Sequence, residues 1–363
     1  MRKIAVLLSG GIDSLIAARI LKNQGHAVFG IHFYSGYEND DAAKITDTSS
    51  AQRKNEPGLD PAVALRAERL QRLLDVPVEV LDVRQAFQTQ VVDYFVQTYQ
   101  DGNTPNPCMV CNPCIKFGVC LSLAQRRGAS HVATGHYVRR RKDSHGVFHL
   151  LRGKDRKKDQ SYFLARLSQD MLSRSVFPLG ERTKAETIAL ANKWGLVPIS
   201  AKESQDVCFI HGTAYGEFLA QRPGFSSRNG PIVDMDGQTI GEHQGLHHFT
   251  IGQRRGINIP STEPYYVIRI DPRQNRLVVG SKQDTLRNDC IVNEINWIHK
   301  KPLQPIHIEA RIRYRHKAAP SRLTPVSSTQ ALLHFETPQT AVTPGQAAVF
   351  YDGDEVLGGG WIG

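Results

Sequence analysis

No apolar run in this sequence approaches the roughly 20 residues that cross a bilayer, which points away from a membrane-spanning chain and a membrane partner. No block recurs at a fixed period, so solenoids and propellers are excluded. Acidic charge is in the minority: 35 Asp and Glu stand against 45 Lys and Arg, and the net charge of +10 makes the surface attractive to polyanions such as RNA or DNA. The basic runs are Arg139-Arg140-Arg141-Lys142 and Lys154-Asp155-Arg156-Lys157-Lys158. Cysteine is scarce, with 6 residues, and three of them fall in Cys108-Met109-Val110-Cys111-Asn112-Pro113-Cys114. In a chain of 363 residues that clustering points to metal or sulfur chemistry rather than a disulfide scaffold. Met1-Arg2-Lys3 leads straight into a strand pattern instead of a secretory leader, so a cytoplasmic protein is expected. The remaining composition, 40% hydrophobic and 22% charged, is that of a globular protein with two or three cores.

The most informative segment is Ser9-Gly10-Gly11-Ile12-Asp13-Ser14. It follows the buried-strand pattern Ile4-Ala5-Val6-Leu7-Leu8 and precedes Leu15–Leu21, whose apolar residues have helical spacing. Glycines at a strand-to-helix turn let the backbone approach an anion that faces the unsatisfied N–H groups of the helix. Ser9 and Ser14 add hydroxyl donors. The loop matches neither G-x-x-x-x-G-K-[ST] nor G-x-G-x-x-G, which excludes the Walker and dinucleotide readings. Asp13 beside a phosphate site implies either a bound Mg²⁺ or a helix-capping carboxylate.

Strand patterns at Val28–Phe33, Val78–Val83 and Ser130–His136 alternate with helical patterns at Ala62–Leu74, Phe87–Tyr99 and Val119–Arg127. The alternation predicts an α/β fold with a doubly wound parallel sheet, its ligand beyond the carboxyl ends of the strands, where the glycine loop and Thr134-Gly135-His136 both fall. Ser161–Leu196 reads as helical, and the polar stretch from Tyr37 to Pro61 as a surface loop. After Phe209, short alternating strands such as Tyr265–Ile270 and Ile308–Tyr314 dominate. The expected division is a catalytic domain over 1–210, a small central mixed domain over 211–285 and a C-terminal β-barrel over 286–363. His243, His247 and His248 lie in a loop pattern without partner carboxylates and are not read as metal ligands. Arg311, Arg313, Arg315 and Lys317, with Tyr314 among them, read as a β element with positive charge and a stacking ring, either an RNA contact or a charged edge.

The S-G-G-x-D-S signature resembles that of the PP-loop ATP pyrophosphatases, which adenylate a carbonyl oxygen and release pyrophosphate. Further segments resemble, in order and nearly end to end, the bacterial tRNA-specific 2-thiouridylases. They include Thr104-Pro105-Asn106-Pro107, Cys111-Asn112, Ala133-Thr134-Gly135-His136-Tyr137, Lys158-Asp159-Gln160-Ser161-Tyr162-Phe163, Cys208-Phe209-Ile210, Gly241-Glu242-His243-Gln244-Gly245 and Val342-Thr343-Pro344-Gly345-Gln346. The resemblance implies ATP with Mg²⁺ at Ser9, Gly10, Gly11, Asp13, Ser14, Phe33 and Gly135, and adenylation of a wobble uridine at C2. It implies tRNA contacts at Asn106, Pro107, His136, Lys158, Asp159, Gln160, Arg313, Tyr314 and Gln346. In the family's scheme the position of Cys208 carries a persulfide, and that of Cys111 releases the sulfur by forming a disulfide; Lys116 is a cation suited to lowering a thiol pKa. It implies a sulfur donor as partner, with a relay protein, a cysteine desulfurase and free sulfide as the readings left open.

The chain departs from the family at Cys108, where an aspartate is usual, and at Cys114. C-x-x-C-x-x-C with a distant cysteine suits a [4Fe–4S] cluster on Cys108, Cys111 and Cys208, with Cys114 as alternate ligand; zinc and no metal are the other readings. Cys108 is counted with Cys111, Cys208 and Asp13 as catalytic. The competing functions are another RNA-modifying PP-loop ligase and an RNA-binding protein with a degenerate ATP site.

Overall fold

β1 (Lys3–Leu7) is buried along all but its first residue because a parallel partner lies on each side of it and α1 (Ile12–Asn23) packs against it. Its partners are β2 (Ala27–Tyr34) and β4 (His131–Ala133), while β3 (Val78–Asp82) extends the sheet beyond β2. β5 (Val138–Lys142) and β6 (Phe148–Arg152) form an antiparallel hairpin, and β7 (Ser175–Val176) completes the sheet in the order β3-β2-β1-β4-β7. The chain runs outward from β1 through β2 to β3, then crosses to β4 on the other side. That reversal opens a crevice at the carboxyl ends of β1 and β4.

The computed structural model describes residues 1–38, 60–199, 207–211 and 215–363. The polar stretch 37–61 therefore lies almost wholly outside the described residues. By internal packing the chain divides into two units, Met1–Gln88 with Val110–His211 and Thr89–Met109 with Gly212–Gly363. In the first unit, Leu15, Ile16, Ala17, Ala18 and Leu21 of α1 meet Ile4, Val6 and Leu8 and the buried Leu70 and Leu74 of the Pro61–Leu74 helix. Asp60 caps that helix by accepting from the Ala62 amide at 2.8 Å, Pro61 supplies its first φ, and Asp75 ends it in the left-handed region.

Two local expectations are corrected. Ser161–Leu196 is not one helical region: a 3₁₀ turn (Ser161–Leu164), a short helix (Gln169–Ser173), β7 and a helix at Lys184–Lys193 share it. A strand of two residues carries no period to read. The helical path Pro107–Arg126 is long and apolar enough to cross a membrane by length and composition, contrary to the reading that no such segment exists. More than half of its most apolar window is buried inside the protein, as in a core helix, and Asn112 and Lys116 interrupt the run in sequence.

In the second unit, β8 (Gly230–Val233), β9 (Thr239–His243), β10 (Tyr266–Asp271) and β11 (Arg276–Gly280) form a sheet ordered β10-β11-β8-β9. The segment Thr89–Met109 belongs here through aromatic packing: Tyr99 stacks on Tyr215 at 5.6 Å, and Phe95 meets Phe218 edge-on at 6.1 Å. Six antiparallel strands then close a barrel in the order β12-β15-β14-β13-β16-β17: β12 (Leu286–Trp297), β13 (Ile306–Arg311), β14 (Ala319–Pro325), β15 (Ala331–Thr340), β16 (Ala347–Asp352) and β17 (Glu355–Ile362). β12 makes the seam, pairing with β15 through its first half and with β17 through its second. Closure pairs β12 with β17, and alternate residues such as Leu323, Leu333, Phe335 and Phe350 fill the interior. Arg313 and Tyr314 are a correction too, since the strand ends at Arg311 and they lie in the turn that follows; Ile312, 1% exposed, folds into the barrel core there. Replacing the fully buried Phe350 with Ala is expected to cost the barrel about 3–5 kcal/mol. Calorimetry or urea unfolding will show this as a lower midpoint than that of the unaltered protein.

Candidate active site

The glycine turn leaves β1 and enters α1 as its sequence requires. Gly10 adopts φ +85° and Gly11 is the N-cap residue, with no side chain capping the helix. Ser14 Oγ donates to the Gly11 carbonyl at 2.8 Å, and the Gly11 amide donates to Ser9 Oγ at 3.3 Å, so the two hydroxyls hold the turn. The first-turn amides of α1 have no carbonyl four residues back, and the positive end of the helix faces the crevice. Gly135, after β4, closes on this turn: a Cβ built there falls 2.8 Å from the Asp13 carbonyl carbon and 2.9 Å from the Ser14 nitrogen. Only a residue without a side chain lets the two loops touch. The segment after the Lys184–Lys193 helix also reaches the turn, with the Ile199 amide donating to the Gly10 carbonyl at 2.9 Å.

Asp13 does not cap α1. Its carboxylate takes the Lys184 ammonium at 2.8 and 2.9 Å and the Tyr137 hydroxyl at 2.8 Å. Both oxygens are thus engaged by donors, and in this state the group does not suit a Mg²⁺ ligand. Lys184 is the residue that sequence reading missed. Thr183 and Glu186 form a capping box that signals the helix start, but nothing in the sequence ties position 184 to a carboxylate 171 residues earlier. The arrangement places an ammonium, paired with Asp13, beside the positive end of α1.

His136 is 8% exposed and both ring nitrogens are engaged. Lys116 Nζ, which can only donate, lies 3.5 Å from Nε2, so Nε2 accepts and Nδ1–H donates to Thr134 Oγ1 at 2.8 Å. Burial, and then the Lys116 charge, hold this imidazole well below the usual histidine range, in its neutral form. His32, also missed in sequence, is 2% exposed on β2; its Nδ1 donates to the Leu8 carbonyl at 2.7 Å. Its Nε2 has no partner among the described residues, which leaves a buried acceptor near the end of β1. Phe33 follows it, half-buried near the end of β2.

Cys111 is buried where the helix Pro107–Cys111 gives way to a π-helical stretch, Asn112–Val119. Cys108 stands one helical turn before it. Asn112 Nδ2 donates to the Phe163 carbonyl at 3.0 Å, and Lys116 ties the same stretch to His136 and so to the crevice. Cys114 is half-buried and its thiol is pushed up by burial, against the nearby Arg166 charge, while burial raises Cys120 and Cys290 to about 12. These three are thiols at neutral pH. Cys208 is exposed, and the next residue, Phe209, packs its ring 5.9 Å from Tyr37 and 5.7 Å from Phe87. His211 Nε2 donates to the Tyr37 carbonyl at 2.8 Å. The Cys208 segment is therefore seated over the carboxyl ends of β2 and β3, on the sheet edge that carries the glycine turn.

The other positions named from sequence divide between holding the fold and facing outward. Asp159 is 3% exposed and accepts from the Gly153 and Ser161 amides at 3.0 and 3.1 Å and from Ser161 Oγ at 2.9 Å. Gln160 accepts from the Tyr137 amide at 3.0 Å, and Lys158 is half-buried beside it. Arg139 donates to the Arg152 carbonyl, and Arg140 to those of Leu172 and Ser173, so within this basic run only Arg141 and Lys142 are exposed. In the second unit, Arg313 donates to the Thr340 carbonyl at 3.2 Å, and Gln346 Nε2 to those of Thr104 and Pro105 at 3.2 and 2.9 Å. His243 donates to the Asn275 carbonyl and accepts from the Gly245 amide, each at 3.1 Å, a structural arrangement.

A helix N-terminus with a glycine turn, set at the reversal of strand order in a parallel sheet, defines an α/β protein of the doubly wound class, in which such a crevice is the usual place for a ligand. Comparison with known proteins narrows the class. The tRNA methyl transferase HUP domain family matches residues 2–212, its PRC-barrel domain 216–281 and the aminomethyltransferase beta-barrel domain 287–362. The tRNA-specific 2-thiouridylase MnmA of Desulfosudis oleivorans is 51% identical over 360 residues, covering 99% of this chain and 94% of that protein. The proteins of the same name from a Synechococcus strain and from Nostoc punctiforme are 44% and 41% identical, covering 99% and 100% of this chain and 93% and 99% of theirs. The chain belongs to the tRNA-specific 2-thiouridylase family, a family of transferases.

The depressed histidines make stability depend on pH. Unfolded His136 and His32 take up protons at ordinary histidine values near 6.5, whereas the folded rings resist protonation, so the unfolded state binds more protons in mild acid. Their contribution is complete above about pH 6.5 and is lost progressively as the pH falls below it. Urea midpoints at pH 7.5 and 5.5 are expected to show that loss, and a His136→Gln variant a shallower one.

Proposed function

We propose that this chain is an ATP-dependent tRNA-uridine 2-sulfurtransferase acting at the wobble position. ATP would lie with its polyphosphate against the α1 N-terminus, Ser9, Gly10, Gly11 and Ser14, and its nucleoside toward Phe33 and Gly135. The uridine O2 attacks the α-phosphorus and expels pyrophosphate. The C2–O bond, inert in the free base, then has adenylate as its leaving group. The terminal sulfur of a Cys208 persulfide attacks C2 and AMP departs. Cys111 thiolate then attacks the inner sulfur of Cys208, leaving sulfur on C2 and a Cys111–Cys208 disulfide that an external dithiol must reduce. Mg²⁺ would neutralise charge on the phosphates; Lys184, released from Asp13, would do the same from the protein side. The observation that carries this reading is that the glycine turn, the Lys116–His136 contact beyond Cys111 and the docked Phe209 beside Cys208 all occur on one edge of one sheet.

The tRNA would approach through Asn106, Pro107, His136, Lys158, Gln160, Arg313 and Tyr314, with Asp159 holding the Lys158–Gln160 turn in shape. The target base must leave its neighbours' stack to reach the crevice. On the persulfide route the sulfur would be passed to Cys208 as sulfane sulfur from a relay protein or a cysteine desulfurase; free sulfide, already reduced, would serve only a cluster route. The C-x-x-C-x-x-C spacing favours a second sulfur route, a [4Fe–4S] cluster on Cys108, Cys111 and Cys208 in place of the persulfide. Iron and acid-labile sulfide in anaerobically purified protein decide between them: a colourless, iron-free and active enzyme leaves the persulfide route.

Pyrophosphate release should be stimulated by tRNA lacking the modification; release indifferent to tRNA would reject the reading. Asp13→Ala and Lys184→Ala are each expected to lower adenylation at least about tenfold with tRNA affinity unchanged. Cys208→Ser is expected to abolish 2-thiouridine while adenylate still forms, measured by nucleoside mass spectrometry and AMP trapping.

A further inference from the structure

The loop between β15 and β16 grips the start of the Asn106-Pro107-Cys108 segment. Gln346 Nε2 donates to two successive carbonyls, Thr104 at 3.2 Å and Pro105 at 2.9 Å. The Thr104 amide returns a bond to the Pro344 carbonyl at 3.0 Å. Gly345, at φ +84°, lies so close that a Cβ there would fall 2.9 Å from both Asn103 Cβ and the Thr104 carbonyl oxygen. The loop itself is fixed: the Gly345 amide donates to the Ile362 carbonyl at 2.9 Å, the Ile362 amide to the Gln346 carbonyl at 2.8 Å, and Thr343 Oγ1 to the Ala341 carbonyl at 2.9 Å. Beyond the gripped residues, the Asn106 amide meets the Tyr94 hydroxyl at 3.3 Å, and the Tyr94 ring lies 5.6 Å from that of Trp361 on β17. Barrel and segment thus share a continuous set of contacts within one unit.

A glutamine amide has two N–H groups, and here both have backbone acceptors. Prolines at 105 and 107 cannot donate, so the stretch they flank lacks two of the backbone bonds that would otherwise fix it. Gln346 and the Pro344 carbonyl stand in for them. We infer that Gln346 is a positioning residue: it sets the entry of the Pro107–Cys111 helix, and hence Cys108 and its neighbours. The inference deepens the proposed thiolation and rests on it for its kinetic arm only.

The test uses the full-length protein and two variants, Gln346→Ala and the nearly isosteric Gln346→Glu, which keeps the volume but loses both donors. The first readout is hydrogen exchange of the ligand-free protein over residues 99–109. Both variants are expected to exchange about tenfold faster there, with the barrel strands unchanged. The second is kinetic: kcat for thiolation is expected to fall about tenfold or more while the Kd for tRNA stays within about twofold. Unchanged exchange in both variants would overturn the inference, as would a raised Kd with kcat intact, which marks a direct RNA contact. Faster exchange with normal kcat overturns it as well. If the wild-type protein does not thiolate tRNA, the functional reading falls, while the exchange experiment still judges the clasp.

Discussion

The contact on which the crevice depends is the approach of Gly135 to the first turn of α1. Two loops from neighbouring parallel strands come within van der Waals distance because one of them carries no side chain at that point. This fixes the α1 N-terminus against the loop after β4, and with it the orientation of His136 and, through Lys116, of the helix that holds Cys111. A methyl group at 135 would separate the loops and break that chain of contacts at its first link.

Charge in the ligand-free crevice is balanced by design of the fold. Asp13 and Lys184 neutralise each other, and His136 is kept uncharged by burial and by the neighbouring ammonium. The positive end of α1 therefore stands beside an ion pair that neutralises itself and an imidazole without charge. Arg139, Arg140 and Arg313 keep their charge but direct N–H groups to backbone carbonyls, which fixes those guanidiniums in place.

The parallel sheet, the glycine turn, the helix at Pro61–Leu74 and the barrel were legible because each carries its own period or its own punctuation. β7 was not, being too short to show alternation, nor was the division of the basic runs into inward and outward residues, which depends on carbonyls far along the chain. Lys184 and His32 escaped for the same reason: their partners are distant in sequence and leave no local trace. Arg313 and Tyr314 looked like strand residues because charges alternate with Ile312 and Tyr314, yet Ile312 turns into the core and ends the strand there. The family resemblance implies an RNA contact at Gln346; that its side chain also holds the carbonyls of Thr104 and Pro105 left no trace in the sequence, because those partners are more than 240 residues away.

The π-helical stretch at Asn112–Val119 has a further consequence for how this region can change over time. A π-turn accommodates one more residue than the α-helix around it, and each residue of an α-helix advances about 100° around the axis. Loss of a single residue between 112 and 119 would restore regular pitch, and because the wide turn had absorbed that residue, Cys111 and Lys116 would keep nearly the same relative face. The widened turn is thus the place in this helical path where one residue can be gained or lost without re-aiming what lies on either side.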